Sequence, residues 1–236
     1  MQPIVIHADR AFTPFEEISD AVVVIRGSKI SAVGQRGKVD LPRGAREINA
    51  GGRTVVPGFV DVHIHGAGGH DVREGTRESL EIITASVAAH GTTSLVATTV
   101  TASEKETCDS VAGIAHFILN TSQYATRELS AEILGIHFEG PFISPARRGV
   151  HPEKWIVPPS SELLKQLLRE ARGTAQILTL APDRTDIVVT FAHFVDQRAD
   201  LFRRVLQIGV QRDDDGAARG LKSGQYRHVL AVIAVK

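Results

Sequence analysis

The chain has 236 residues, 42% of them hydrophobic and 23% charged, and its lysines and arginines balance its acids to a formal net charge of zero. This is an ordinary globular composition, and the total charge excludes a nucleic-acid or membrane-surface footprint, so neither partner is expected. The single cysteine, Cys108, excludes an intramolecular disulfide and favours a cytoplasmic location.

The N-terminus has no basic region followed by a long apolar core, so no signal peptide is expected. Over residues 1–53 the pattern is β structure. The apolar run 21–26 and the run 29–34 flank Gly27-Ser28, a hairpin turn signal. From Thr54 the pattern changes to strand–helix alternation. Thr54-Val55-Val56-Pro57-Gly58-Phe59-Val60-Asp61-Val62 leads into His63-Ile64-His65-Gly66. A helix is predicted over 78–90, with Leu80, Ile83 and Val87 at helical spacing and Gly91 as its stop. Residues 92–100 are rich in β-branched types and predict a strand.

Ser103 with Glu106 is a capping box that opens a helix carrying Cys108, Val111, Ile114, Ala115 and Ile118. The apolar run 131–136 predicts a strand ending near Glu139. Ser160 and Ser161 start a helix through Leu163, Leu164, Leu167 and Leu168, and residues 175–182 predict a fourth strand. Residues 186–194 have strand character, and 211–220 are polar with little periodicity. No apolar run reaches the roughly 18–20 residues a membrane span needs.

Repeated βα units with short loops imply a parallel sheet with helices outside. Such units can close into a (β/α)8 barrel, whose chemistry sits at the C-terminal strand ends. The expected organisation is an N-terminal β segment at 1–53, barrel units at 54–182 and an unmatched tail at 183–236. A full barrel takes about 250 residues, and only four clear strands precede Pro182. The expectation is therefore an α/β fold of the (β/α)8 TIM-type barrel kind, truncated to about half.

Side chains at i and i+2 of a strand share one face, so His63 and His65 can chelate one ion at a strand end. Glu139 lies at another strand end, before Gly140-Pro141-Phe142. A buried carboxylate must be paired or bind a metal. His137, two residues earlier, is either a partner that orients a ligand or a satisfied core histidine. The loop beyond carries Arg147, Arg148 and His151. The arginines are expected to be solvated, while Gly149 and Pro152 restrain the backbone around His151. His70 and Asp71, after Gly68-Gly69, are expected to be structural. Cys108 lies on a helix's apolar stripe.

The run Pro57-Gly58-Phe59-Val60-Asp61-Val62-His63-Ile64-His65-Gly66 resembles the first-strand signature of the amidohydrolase superfamily. His137-Phe138-Glu139-Gly140-Pro141-Phe142-Ile143-Ser144-Pro145, followed by Arg148-Gly149-Val150-His151-Pro152, is similar to the N-acetylglucosamine-6-phosphate deacetylases within it. The resemblance covers roughly residues 1–182. It implies that a divalent metal, zinc or iron, one or two per site, activates water to hydrolyse the acetamide of N-acetylglucosamine 6-phosphate. Glucosamine 6-phosphate and acetate would be released. It further implies that Glu139 is the principal metal ligand, with His63 and His65 as metal-binding residues. Val150 and His151 would contact the phosphorylated sugar, the N-terminal strands would form part of a small β-sandwich, and the enzyme would be a homodimer.

The chain departs from the family after residue 182. The two further metal-binding histidines and the aspartate that acts as general base have no match, although His193 and Asp196 occur in the tail. The alternatives are an inactive truncated fragment and another amidohydrolase of the dihydroorotase-like kind, against which the loop after Glu139 argues. One explanation of the tail is a shift of reading frame near Pro182. Shifted by one base, codons for Gln211-Arg212-Asp213-Asp214 permit Asn-Ala-Thr, as the family has in that region. Sequencing the gene tests this: the explanation requires a family-like peptide in an alternative frame, and two empty frames would end it.

Overall fold

A computed structural model of the chain describes residues 2–121 and 130–181, together with the backbone of two short strands further on. The strand expected at 186–194, the polar stretch 211–220, and His193, Asp196 and His228 lie outside the described residues. Two compact units divide after Gly58.

The first unit is a four-stranded sheet. Its strands are β1 (Ile4–Phe12), β2 (Glu17–Arg26), β3 (Lys29–Gln35) and β4 (Arg46–Val55), in the order β3-β2-β1-β4. β2 pairs antiparallel with β1 and β3, and β4 pairs parallel with β1. The β2–β3 hairpin turns at Gly27-Ser28 as the sequence predicts, with Gly27 at φ +61°. Val5, Val22 and Val24 pack together as its core. The sequence pattern changes at residue 54, yet the unit continues to Gly58, because Thr54 and Val55 still pair with Arg10 and Ala11.

The second unit alternates strand and helix. β5 (Phe59–Ile64) is followed by a minute hairpin, β6 (Gly66–Ala67) and β7 (His70–Asp71), and a 3-10 turn at Val72–Glu74. Then come α1 (Arg77–Ala88), β8 (Thr92–Thr99), α2 (Glu104–Asn120), β9 (Glu132–Glu139), α3 (Ser161–Glu170) and β10 (Ala175–Thr179). β5, β8, β9 and β10 form one parallel sheet in the order β10-β9-β8-β5. The predicted capping box is present: Ser103 caps Glu106, whose carboxylate accepts from the Ser103 N–H. Thr76 and Ser160 cap α1 and α3 more simply, each side chain accepting from one N–H of the first turn.

Leu95, Ile136 and Phe138 of the inner strands are buried against Leu80, Ile114 and Leu167 of the helices. The inner strands are buried along most of their length, as a parallel sheet with covered faces requires. β5 is different: Phe59, Val60 and Val62 are more than half exposed at the sheet's edge. The fold is thus α/β with four parallel strands, and no closed barrel is present among the described residues. Beyond β10, Ile208–Gly209 (β11) and Leu230–Ala231 (β12) form an antiparallel pair.

α2 approaches the 3-10 turn unusually closely. A Cβ built on Gly113 would stand 2.2 Å from the Gly75 carbonyl oxygen. Placing alanine in a helix gains about 1 kcal/mol in propensity, whereas overpacking against backbone costs about 1–3 kcal/mol. Gly113→Ala is therefore expected to destabilise the chain, read as a lower urea midpoint. A raised midpoint would show that the contact yields freely.

Candidate metal centre

Glu139 is the last residue of β9, and its side chain stands at the C-terminal edge of the sheet, 23% exposed. Three imidazoles surround one of its oxygens. Oε2 lies 3.1 Å from His65 Nε2, 3.8 Å from His63 Nε2 and 3.4 Å from His151 Nε2. The potential ligand atoms of His63, His65 and Glu139 all lie within 4.8 Å of one another.

His63 near the end of β5 and His65 just beyond it do not converge by pleat alone. The β5–β8 register shifts between Asp61 and Ile64. At the shift the Asp61 carboxylate accepts from the His63 N–H, and the Thr98 hydroxyl oxygen accepts from the Ile64 N–H. Such irregularities re-aim side chains at strand ends. The His63 and His65 rings meet edge to face, centroids 4.9 Å apart.

His65 is held like a metal ligand. Its Nδ1 lies 3.1 Å from the Thr98 carbonyl oxygen, which can only accept, so Nδ1 carries the proton. Nε2 of the neutral ring then presents a lone pair to Glu139 at 3.1 Å. Facing lone pairs at that distance repel unless a proton or a cation stands between them. The donor set, two imidazoles and a carboxylate, therefore fits a divalent metal ion.

Burial pushes the Glu139 carboxyl up. The hydrogen bond from His151 and the charges of His63, His151 and His65 outweigh it and hold the carboxyl below its usual range. His137, 5% exposed, stands beside His63 with ring centroids 5.2 Å apart. Both of its nitrogens meet hydroxyls, Nε2 with Thr179 at 2.8 Å and Nδ1 with Thr98 at 3.3 Å. It braces the site from behind the three candidate ligands. Burial above all, then His63 and His65, overcome the pull of Glu139 and lower its pKa to about 4.

His151 is buried, and the backbone N–H of Thr101 donates to its Nδ1. Its neighbour Val150 is 82% exposed. Arg148, expected to be solvated, is half-buried, and its Nη1 donates to the His151 carbonyl. The sequence pattern does not single out Thr98, Thr101 or Thr179. Thr98 and Thr179 register there only as strand propensity, and Thr101 falls just past the predicted strand.

His70 and Asp71 are structural. His70 pairs with Glu74 at 2.9 Å, and Asp71 caps the 3-10 turn. Gly66 serves for close approach. A Cβ there would lie 2.0 Å from the His70 carbonyl oxygen. The turn itself falls on Gly68 and Gly69, at φ +64° and +85°. Cys108 is half-buried and accepts from Gln166. No helix among the described residues is long and apolar enough to cross a membrane.

A sequence profile described as "Amidohydrolase family" matches residues 54–199. The chain is 36% identical over 191 residues to the N-acetylglucosamine-6-phosphate deacetylase of Bacillus subtilis, covering 78% of this chain and 46% of that protein. It is 31% identical over 141 residues to the human N-acetylglucosamine-6-phosphate deacetylase, covering 57% and 32%. A mutant Mycobacterium smegmatis N-acetyl-D-glucosamine-6-phosphate deacetylase, solved with N-acetyl-D-glucosamine-6-phosphate, superposes with a TM-score of 0.72 at 30% identity. That match covers 89% of this chain and 50% of the other. The chain spans about half the length of these relatives or less.

The low pKa of His137 has a thermodynamic consequence. The unfolded ring takes up its proton near 6.5, the folded ring only near 4. As pH falls through that window the unfolded state binds more protons, so folding stability is complete above about 6.5 and declines toward about 4. The metal-free chain should lose stability over this range by an amount on the order of a few kcal/mol, and His137→Gln should lose less. Equal pH slopes of the urea midpoint in the two chains would refute the assignment.

Proposed function

The chain belongs to the amidohydrolase family, and from that premise we propose that its site is built for metal-dependent hydrolysis of the acetamide of N-acetylglucosamine 6-phosphate. The products are glucosamine 6-phosphate and acetate. The observation that carries this reading is the convergence of His63, His65 and His151 on the Glu139 carboxylate, in a chain similar to N-acetylglucosamine-6-phosphate deacetylases over most of its length.

In this reading Glu139, His63 and His65 hold the divalent ion. The chemistry such an ion supplies is activation of water near neutral pH and polarisation of an amide carbonyl. The chain's own residues do the rest of what can be assigned. Thr98 fixes His65 through its carbonyl, so that a lone pair faces the ion. His151 and Val150 contact the phosphorylated sugar, His151 from within the site and Val150 from the exposed loop beside it. The strands β5, β8, β9 and β10 are the first half of a (β/α)8 barrel, and β1 to β4 belong to a small β-sandwich. Parallel pairing in chain order and a site at the C-terminal strand ends support the first assignment. A cytoplasmic homodimer is the form expected of the family.

The departure of the sequence from the family pattern after residue 182 favours a second reading, in which this chain binds metal and sugar phosphate without turnover. Acetate release from N-acetylglucosamine 6-phosphate by the purified chain, measured beside its metal content, separates the two. The first reading predicts stoichiometric metal with turnover. Glu139→Gln should then lower bound metal by more than about 10-fold and remove turnover with it. A chain that binds metal without releasing acetate supports the second reading, and one that binds no divalent metal defeats both.

A further inference from the structure

Thr101 lies just beyond β8, is 2% exposed, and touches no candidate metal ligand through any hydrogen bond described above. Its two polar groups both address one atom of another residue. The backbone N–H donates to His151 Nδ1 at 3.2 Å, and the hydroxyl oxygen lies 2.7 Å from the same nitrogen. An N–H can only donate, so the nitrogen it meets must offer a lone pair. In a neutral ring the proton is then on Nε2, the atom 3.4 Å from Glu139 Oε2.

His65 has the opposite arrangement. A carbonyl oxygen meets its Nδ1, so its proton is there and its Nε2 is bare. Two imidazoles thus face the same carboxylate oxygen in opposite tautomers, one a lone-pair ligand and one an N–H donor.

Space for this contact is made by Gly140, at φ +89°. A Cβ there would lie 2.0 Å from the Thr101 hydroxyl and 3.5 Å from His151 Nδ1. From the other side, Arg148 holds the His151 carbonyl.

We propose that Thr101 is a positioning residue that fixes His151 as the Nε2–H tautomer and aims that N–H into the site, with Gly140 keeping the room it needs. The proposal rests on the reading of His151 as a substrate contact. Its consequence is that His151 serves a substrate oxygen as a hydrogen-bond donor and does not enter the metal's ligand set.

The tautomer is read directly from long-range proton–nitrogen spectra of the full chain with labelled histidine, taken above the histidine titration range. A His151→Gln variant identifies the resonances. The expected result is a bare Nδ1 and a protonated Nε2 for residue 151. Thr101→Val removes the hydroxyl but keeps the backbone N–H, so residue 151 should hold its tautomer with a shifted Nδ1 resonance, and Thr101→Ser should restore the parental resonance. Loss of an orienting contact of this kind typically costs 10–100-fold in activity. Acetate release should therefore fall by about 10-fold in kcat for the valine variant, with KM little changed, and recover in the serine variant.

A protonated Nδ1 in the parent chain overturns the proposal without any variant, as does a folded Thr101→Val chain whose Nδ1 resonance and kcat both match the parent. A parent chain that shows the expected tautomer yet releases no acetate leaves Thr101's role supported and counts against the deacetylase reading alone.

Discussion

Everything near the sheet's C-terminal edge is arranged around one oxygen atom, Glu139 Oε2. A carboxylate oxygen only accepts, and the nearest nitrogen, on His65, presents a lone pair at 3.1 Å. That contact is repulsive by itself. It becomes favourable when a positive charge is shared between the two atoms. The protein has set the conflict up with care, since the Thr98 carbonyl removes the alternative tautomer of His65. The same oxygen receives an N–H from His151, so one atom faces both a bare lone pair and a donor.

The parallel sheet makes this meeting possible. β5 and β9 are not neighbours; β8 lies between them. Histidines at and just past the end of one strand reach a glutamate two strands away because all the strands end on the same edge. The shift in the β5–β8 register turns His63 and His65 inward, and Thr98 on the intervening strand serves both sides of the gap. It accepts from Ile64 on one side and meets His137 on the other. Behind His65, the Val72 N–H donates to its carbonyl, tying the hairpin after β5 back to the site.

The three helices, the four parallel strands and the three candidate ligands are legible in the sequence for different reasons. The helices announce themselves by apolar spacing and by caps such as Ser103 and Ser160. The ligands stand out because His-x-His and a glutamate before Gly-Pro are chemically costly patterns at strand ends. Thr98 and Thr179 are silent in the sequence, because a β-branched residue in a strand is what propensity alone would choose. Their role depends on which strand lies beside which, a fact no local window contains. The burial of His151 is hidden for the same reason. Thr101, fifty residues away, is what places it. Gly66 shows a subtler failure: glycine suggests a turn, while its purpose is room for a neighbouring carbonyl.

The choice of threonine as the common brace has an entropic meaning. Each imidazole in contact with Thr98, Thr101 or Thr179 is held by a short side chain or by the backbone of its residue. A branched side chain such as threonine is already stiff about its first torsion. A glutamate or glutamine in the same role would surrender about 1.5–2 kcal/mol of rotamer freedom when fixed. The rings are oriented by groups that have little freedom to lose. Much of the cost of ordering the site is therefore met during folding, before any ligand arrives.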